Sequence, residues 1–277
     1  MGKRILITGA GSGFGKGAAL QLARNGHDVI ACVHVGSQKT ELWAEAYAEG
    51  LPMRIEVVDV TNPEDREFVF GNEIDVLVNA AGIMEAGPVA EMPMARVRNN
   101  YEVNVFSTLA MIQGFAPQMV QRGKGKIVTV TSMGGLITVP FVAIYTSTKH
   151  ALEGMIEGLK TELAGTGVEI CTVNPGGFQT GFNDRGAETM MRWFDPATTL
   201  VRPELLAGFT RPGPDGINPG QMDPQIQIDD LVRVIEEEGS KFRNVCPDAI
   251  VPWIKAIQAK TWEARGDEPI WIDPATV

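Results

Sequence analysis

Thr8-Gly9-Ala10-Gly11-Ser12-Gly13-Phe14-Gly15 decides the fold of this chain. The residues before it, Arg4–Thr8, read as a short buried strand, and those from Gly13 to Asn25 carry a helical apolar period. A glycine-rich turn between strand and helix lets the backbone approach a pyrophosphate, and the helix adds unpaired N–H donors and a favourable dipole. Glycine runs also make ordinary turns, so the rest of the chain has to choose between the two.

Outward from this turn, β-rich runs alternate with longer helical ones. Strands are predicted at Asp28–Val33, Arg54–Val58 and Asp75–Val78, with helices at Gln38–Glu49 and Pro63–Phe70. A second half repeats the rhythm: helix Met94–Arg122, strand Lys126–Thr131, helix Ile144–Gly165, strand Val168–Val173. Such alternation predicts an α/β fold with a mostly parallel sheet covered on both faces by helices. Ile74-Asp75-Val76-Leu77-Val78 and Lys126-Ile127-Val128-Thr129-Val130-Thr131 are nearly continuous in apolar or β-branched residues, which places them at the sheet centre.

With 277 residues and 44% hydrophobic content, one domain over 1–277 is the simplest reading. A net charge of -10 without a basic cluster disfavours nucleic acid and anionic membrane as partners. The apolar stretch in Met1–Thr8 is too short for a signal peptide, and no apolar run nears the ~20 residues of a membrane helix, so a cytoplasmic protein is expected. Cys32, Cys171 and Cys246 form no pair motif and read as small buried hydrophobes; no residue set is assigned to a metal.

After Pro175-Gly176-Gly177 the rhythm breaks. Residues 178–227 are rich in proline and glycine around a short helix near Ala187–Phe194, as in a substrate lid. Regular patterns resume at Asp229–Glu238, Lys241–Val245 and Asp248–Arg265, and a tail, 266–277, contains the apolar Ile270-Trp271-Ile272. That tail is expected to pack on its own domain or on a partner subunit.

The chemistry is concentrated between residues 104 and 149. Tyr145 and Lys149 stand four apart on a helical pattern, so a phenol and an ammonium share one face, and the cation would favour the phenolate. Ser132 lies thirteen positions upstream of Tyr145, and Asn104 falls in Glu102-Val103-Asn104-Val105-Phe106. Singly, each has a plain structural alternative: a half-buried helix tyrosine, a solvated lysine, a turn serine, a capping amide.

Together with Asn79-Ala80-Ala81-Gly82 and the glycine turn, these residues resemble the short-chain dehydrogenase/reductase family, with motifs in order from about Lys3 to Thr180. The resemblance implies a Rossmann-type doubly wound sheet of about seven strands and NAD(P)-dependent interconversion of a carbonyl and an alcohol. It implies Tyr145 as general acid/base, Ser132 on the substrate oxygen, Lys149 on the nicotinamide ribose, and Asn104 holding a relay water through its backbone. For the cofactor it implies Gly9, Gly11, Ser12, Gly13, Phe14 and Gly15 at the phosphates, Asp59 and Val60 at the adenine, and Asn79, Ala80, Ala81 and Gly82 beside it. Pro175, Gly176, Phe178 and Thr180 would close over the nicotinamide, with Thr180 on the carboxamide.

The end of the second strand reads Cys32-Val33-His34, with Val33 where NAD-preferring members carry Asp and His34 where many NADP-preferring ones carry Arg. The missing acid tilts the reading toward NADP(H) over NAD(H), although His34 also reads as a plain surface histidine. Phe182, Met190, Met191, Trp193 and Phe194, with Met133, Phe141 and Ile144, form either an apolar substrate wall or a helix's core face. The Gly26–Val33 and Asn79–Pro88 segments look like the retinol- and steroid-type dehydrogenases. Family members usually pair through the two long helices, which implies a homodimer or homotetramer. Two other readings stay open: a halohydrin dehalogenase-like lyase, disfavoured by Lys149 and the glycine turn, and a nucleotide-sensing regulator.

Overall fold

Side chains alternate across each strand, and here that alternation sorts the core into two layers. The computed structural model describes residues 2–202, 205 and 221–272. Its strands are β1 Arg4–Thr8, β2 Asp28–Val33, β3 Met53–Val57, β4 Val76–Asn79, β5 Gly125–Val130, β6 Val168–Pro175 and β7 Arg243–Cys246. All pair in parallel, in the order β3-β2-β1-β4-β5-β6-β7. The helices are α1 Gly13–Arg24, α2 Gly36–Ala48, α3 Pro63–Phe70, α4 Met94–Tyr101, α5 Ser107–Arg122, α6 Ala143–Glu162, α7 Phe182–Met191, α8 Pro224–Glu236 and α9 Val251–Glu263.

Ile5, Ile7, Val29, Ala31, Val76 and Val78 face one layer, where Leu20 and Leu22 of α1 and Leu231 and Ile235 of α8 cover them. Leu6, Ile30, Leu77 and Ile127 face the other, beneath Met111, Phe115 and Met119 of α5 and Ile156 of α6. Both faces are thus buried, as the apolar runs require. The sheet is the expected seven-stranded, doubly wound one. Its strand order reverses between β1 and β4, so the loops after those strands diverge and leave a crevice at their carboxyl ends.

Several boundaries differ from the sequence pattern. The predicted helix Met94–Arg122 is α4, a π-helical turn at Glu102–Phe106, and α5. β4 runs one residue later than expected and β7 starts at Arg243 rather than Lys241. α8 begins at Pro224, five residues before the expected Asp229, because Asp223 caps it by accepting from Gln225 N and proline fits the first helical position. The lid helix is Phe182–Met191, so Trp193 and Phe194 follow it rather than belong to it. Of the expected lid, residues 203–204 and 206–220 lie outside the described residues, as do 273–277 of the tail. The described tail packs on its own domain: Trp253 Nε1 donates to Ile272 O at 3.0 Å, and Trp253 and Trp271 meet edge to face.

Candidate active site

At the end of β1, Thr8 ties the two diverging loops together. Its hydroxyl accepts from Ala80 N at 3.1 Å and Ala81 N at 3.2 Å, which sets Asn79–Gly82 beside the glycine turn. Gly9 lies at φ +70°, and a Cβ there would come within 2.7 Å of Ala80 O and Ala81. Only glycine therefore fits that position. Ser12 precedes α1 in extended conformation without a side-chain cap, and the first turn of α1 holds no acidic residue. The amides of Gly13, Phe14 and Gly15 thus head the helix as an anion site.

The β6 loop closes the other side. Phe178 pairs with Met222, Gly176 N donates to Cys246 O, and Phe178 meets Phe14 edge to face at 5.5 Å. Thr180 stands across from Gly13, where an added Cβ would lie 3.6 Å from the threonine Cβ. Asn79 is buried at 3% exposure, and both polar atoms of its amide have no hydrogen-bond partner among the described residues. A buried orphan amide is costly, and this one sits at the crevice between β1 and β4. The anion-ready helix, the glycine-only approach and this amide together fit a dinucleotide.

At the adenosine end, His34 is exposed and its Nε2 lies 3.7 Å from Asp59 Oδ2. Burial works to raise the Asp59 pKa, yet the Thr61 hydroxyl and amide, with His34, hold it below the usual carboxylate value. Val33 in β2 and Val60 after β3 are both buried. Gln38, which the sequence pattern did not single out, accepts from His34 N at 3.0 Å, and its amide covers Gly11.

The four expected catalytic residues converge. Asn104 sits in the π-helical turn and is fully buried. Its Oδ1 accepts from Ile83 N at 2.8 Å, while Nδ2 donates to Ile83 O and to Thr148 Oγ1. The side chain thus pins the β4 loop to α6, a task that spacing alone did not reveal. Its backbone carbonyl accepts from the Thr108 hydroxyl at 2.9 Å. Gly82 faces both groups: a Cβ there would lie 3.3 Å from Asn104 Oδ1 and 3.7 Å from Lys149 Nζ.

Tyr145 and Lys149 share one face of α6, with Nζ 5.7 Å from the phenol ring centroid. Lys149 Nζ donates to Val130 O at 3.0 Å, two residues before Ser132. Ser132 Oγ accepts from Gly134 N at 3.0 Å, and a Cβ on Gly134 would lie 3.3 Å from that oxygen and 2.8 Å from Thr146 Cγ2, so the Ser132 turn packs against the residue after Tyr145. Burial pushes Tyr145 up to about 12, against the opposing hydrogen bond from Ser132. Burial also brings Lys149 down to about 8, opposed by the Glu153 carboxylate. Desolvation exceeds the attraction between neighbours because both groups are enclosed. At neutral pH Tyr145 therefore carries its proton and can donate it.

Above the phenol, Phe182 of α7 meets Tyr145 edge to face at 5.6 Å. Met190 packs with Ala86 and Val142, and Met84, Val139, Trp193 and Phe194 surround them. Met190, Trp193 and Phe194 are therefore core-packing residues, Phe182 lies against Tyr145, Met133 packs in a separate cluster with Ile137 and Trp253, and Met191 is exposed. Phe141, at φ 63°, passes its carbonyl to Gly87 N at 2.6 Å, which ties the β4 loop to the entry of α6.

A family model described as short chain dehydrogenase matches residues 3–190. The uncharacterized oxidoreductase YusZ of Bacillus subtilis is 35% identical over 188 residues, covering 65% of this chain and 67% of its own. Retinol dehydrogenase 8 of Bos taurus is 32% identical over 215 residues, covering 75% and 68%. A short chain dehydrogenase/reductase of Burkholderia phymatum, solved in complex with NAD, superposes with a TM-score of 0.80 at 23% identity, over 98% of each chain.

Proposed function

This chain belongs to the short-chain dehydrogenase/reductase family of NAD(P)-dependent oxidoreductases, and from that premise we propose that it interconverts a ketone or aldehyde and an alcohol, with Tyr145 as the general acid/base. The observation that carries the proposal is the convergence of Ser132, Tyr145 and Lys149 at the carboxyl edge of the sheet, where Lys149 bonds Val130 O and the Ser132 turn packs on Thr146, beside the crevice between β1 and β4. When bound, the nicotinamide supplies or accepts the hydride.

The chain's own residues do the rest. Gly9 to Gly15 hold the phosphates, Asp59 and Val60 the adenine, and Asn79 to Gly82 the adjoining ribose side. Lys149 reaches the nicotinamide ribose, and Pro175, Gly176, Phe178 and Thr180 cover the ring. Ser132 orients the substrate oxygen, and Tyr145, protonated at neutral pH, gives its proton to that oxygen as the carbonyl is reduced. In oxidation the proton moves the other way, from the alcohol to Tyr145.

NADP(H) is the favoured cofactor, supported by Val33 at the end of β2, the position where an acid would repel a 2′-phosphate, and by the exposed imidazole of His34 next to it. The substrate is apolar. Phe182 beside Tyr145 supports this, as does the match to a relative named for retinol, an apolar alcohol. The chain works as one catalytic domain with the segment after β6 as its lid. Among the described residues no helix is long and apolar enough to cross a membrane. A homodimer or homotetramer is supported by the face shared by α5 and α6, where Leu109, Met155 and Leu159 border a groove floored by Gly154 and Gly158.

The test is a nicotinamide absorbance screen of ketones, aldehydes and secondary alcohols with both cofactors. Turnover of an apolar carbonyl with NADPH is expected. Binding of nucleotide with no turnover across the screen would point to a sensing protein instead.

A further inference from the structure

A buried carboxylate lies behind the catalytic residues. Glu153 is 4% exposed, on α6 and one helical turn beyond Lys149. Its Oε1 accepts from Thr131 Oγ1 at 2.6 Å and from Asn174 Nδ2 at 2.7 Å. Its Oε2 accepts from Arg243 Nε at 2.9 Å, and the same guanidinium bonds Glu157 through Nη2 at 2.7 Å. Four elements thus meet on one side chain: α6, the end of β5, β6 and β7.

Two of these partners adjoin the working parts of the site. Thr131 precedes Ser132, and Asn174 precedes Pro175, where the nicotinamide loop begins. Asn174 Nδ2 also donates to Thr131 Oγ1 at 2.7 Å. A Cβ on Gly135 would come within 3.0 Å of both Glu153 Cγ and Lys149 O, so the turn after Ser132 is packed directly against this part of α6. A buried carboxylate is a poor way to gain stability, since an apolar side chain could fill the space without desolvating a charge.

We propose that Glu153 is a positioning residue: its carboxylate clamps the end of β5 to α6, so that Ser132 and Tyr145 address one oxygen, and sets a negative charge beside Lys149. This rests on the roles of Ser132, Tyr145 and Lys149 given above. The groups around Lys149 fix the sign of the electrostatic effect. On its own helix these are Tyr145 and Glu153, with Arg243 of β7 and Glu157 behind Glu153. Among the described contacts, the β4 loop offers Gly82, the π-helical turn the neutral amide of Asn104, and β5 the Val130 carbonyl. Removing the carboxylate leaves the Lys149 ammonium less favoured, so its titration moves to lower pH.

The test compares wild type with Glu153→Gln, Thr131→Val, Thr131→Ser and Glu157→Gln, using NADPH and a carbonyl found in the screen. Gln can keep the bonds from Thr131 and Asn174 but loses the charge that meets Arg243. Glu153→Gln is expected to lower kcat about tenfold or more, with KM within about threefold, and to move the alkaline limb of the kcat profile down by roughly one pH unit. Thr131→Val is expected to lower kcat about tenfold without moving that limb, and Thr131→Ser to restore it. Glu157→Gln, which leaves the clamp intact, is expected to stay within about twofold of wild type. Unchanged kcat and pH profile in folded Glu153→Gln, or a lowered Tm with unchanged kcat, would overturn the proposal. If Glu153→Gln does not fold, Thr131→Val decides: undiminished kcat overturns it, and a loss rescued by Thr131→Ser upholds it. If wild type turns over nothing, the functional reading fails on its own, and the pH dependence of NADPH affinity, followed by nicotinamide fluorescence, still reads the Lys149 titration. A midpoint that does not fall in Glu153→Gln then overturns the proposal.

Discussion

Replacing Lys149 by methionine should abolish turnover and stabilise the protein. The side chain is 4% exposed, and burial draws its pKa from the ordinary 10.5 to about 8. That difference of about 2.5 units, at about 1.4 kcal/mol each, corresponds to roughly 3 kcal/mol of folding free energy. Below pH 8 the folded and unfolded chains both hold the proton, and the full cost of the buried ammonium is present. Between pH 8 and 10.5 the unfolded chain holds more protons than the folded one, so stability rises with pH; above 10.5 the cost is gone. Methionine avoids the cost but forfeits the bond to Val130 O, worth about 1 kcal/mol. The expected net gain is about 1–3 kcal/mol at pH 7, or a Tm higher by about 2–8 °C. Denaturant unfolding of both cofactor-free proteins at pH 7 and at pH 10 measures it, and the gain should shrink at the higher pH. A variant that is less stable than wild type at pH 7, or a difference that does not change with pH, would refute the reasoning.

Two further substitutions probe the nucleotide site. His34→Asp places an acid where a 2′-phosphate would lie, beside Asp59 at the end of β2, and is expected to shift the NADP-to-NAD ratio of kcat/KM toward NAD by about tenfold or more, about 1.4 kcal/mol; an unchanged ratio would remove His34 from the cofactor site. Gly9→Ala forces a Cβ to within 2.7 Å of Ala80 O at φ +70°, so a loss of at least about 2 kcal/mol in unfolding free energy, together with weaker cofactor binding by fluorescence titration, is expected.

The first two-thirds of the fold was legible because parallel strands buried on both faces leave continuous apolar runs, and β1, β2 and α3 have the bounds that those runs predict. Prolines misled where they began helices rather than broke them, as at Pro224. The residues that converge at the candidate site could be named from the motif resemblance, but the contacts that hold them there could not. Asn104 joins Ile83 to Thr148, and Glu153 joins Thr131, Asn174 and Arg243, over separations that no local pattern encodes. The burial that raises the Tyr145 pKa was not legible for the same reason: a neighbouring cation is visible in the sequence, whereas desolvation appears only once the fold encloses the phenol and Phe182 lies against it.

The central claim is that Tyr145 moves the proton while the nicotinamide carries the hydride. Its most direct test is Tyr145→Phe, assayed for turnover and, separately, for NADPH affinity by fluorescence. The account predicts a loss of turnover of about 100- to 10,000-fold with affinity within about threefold of wild type. Turnover retained within a few-fold, in a variant that still binds the nucleotide, would contradict it.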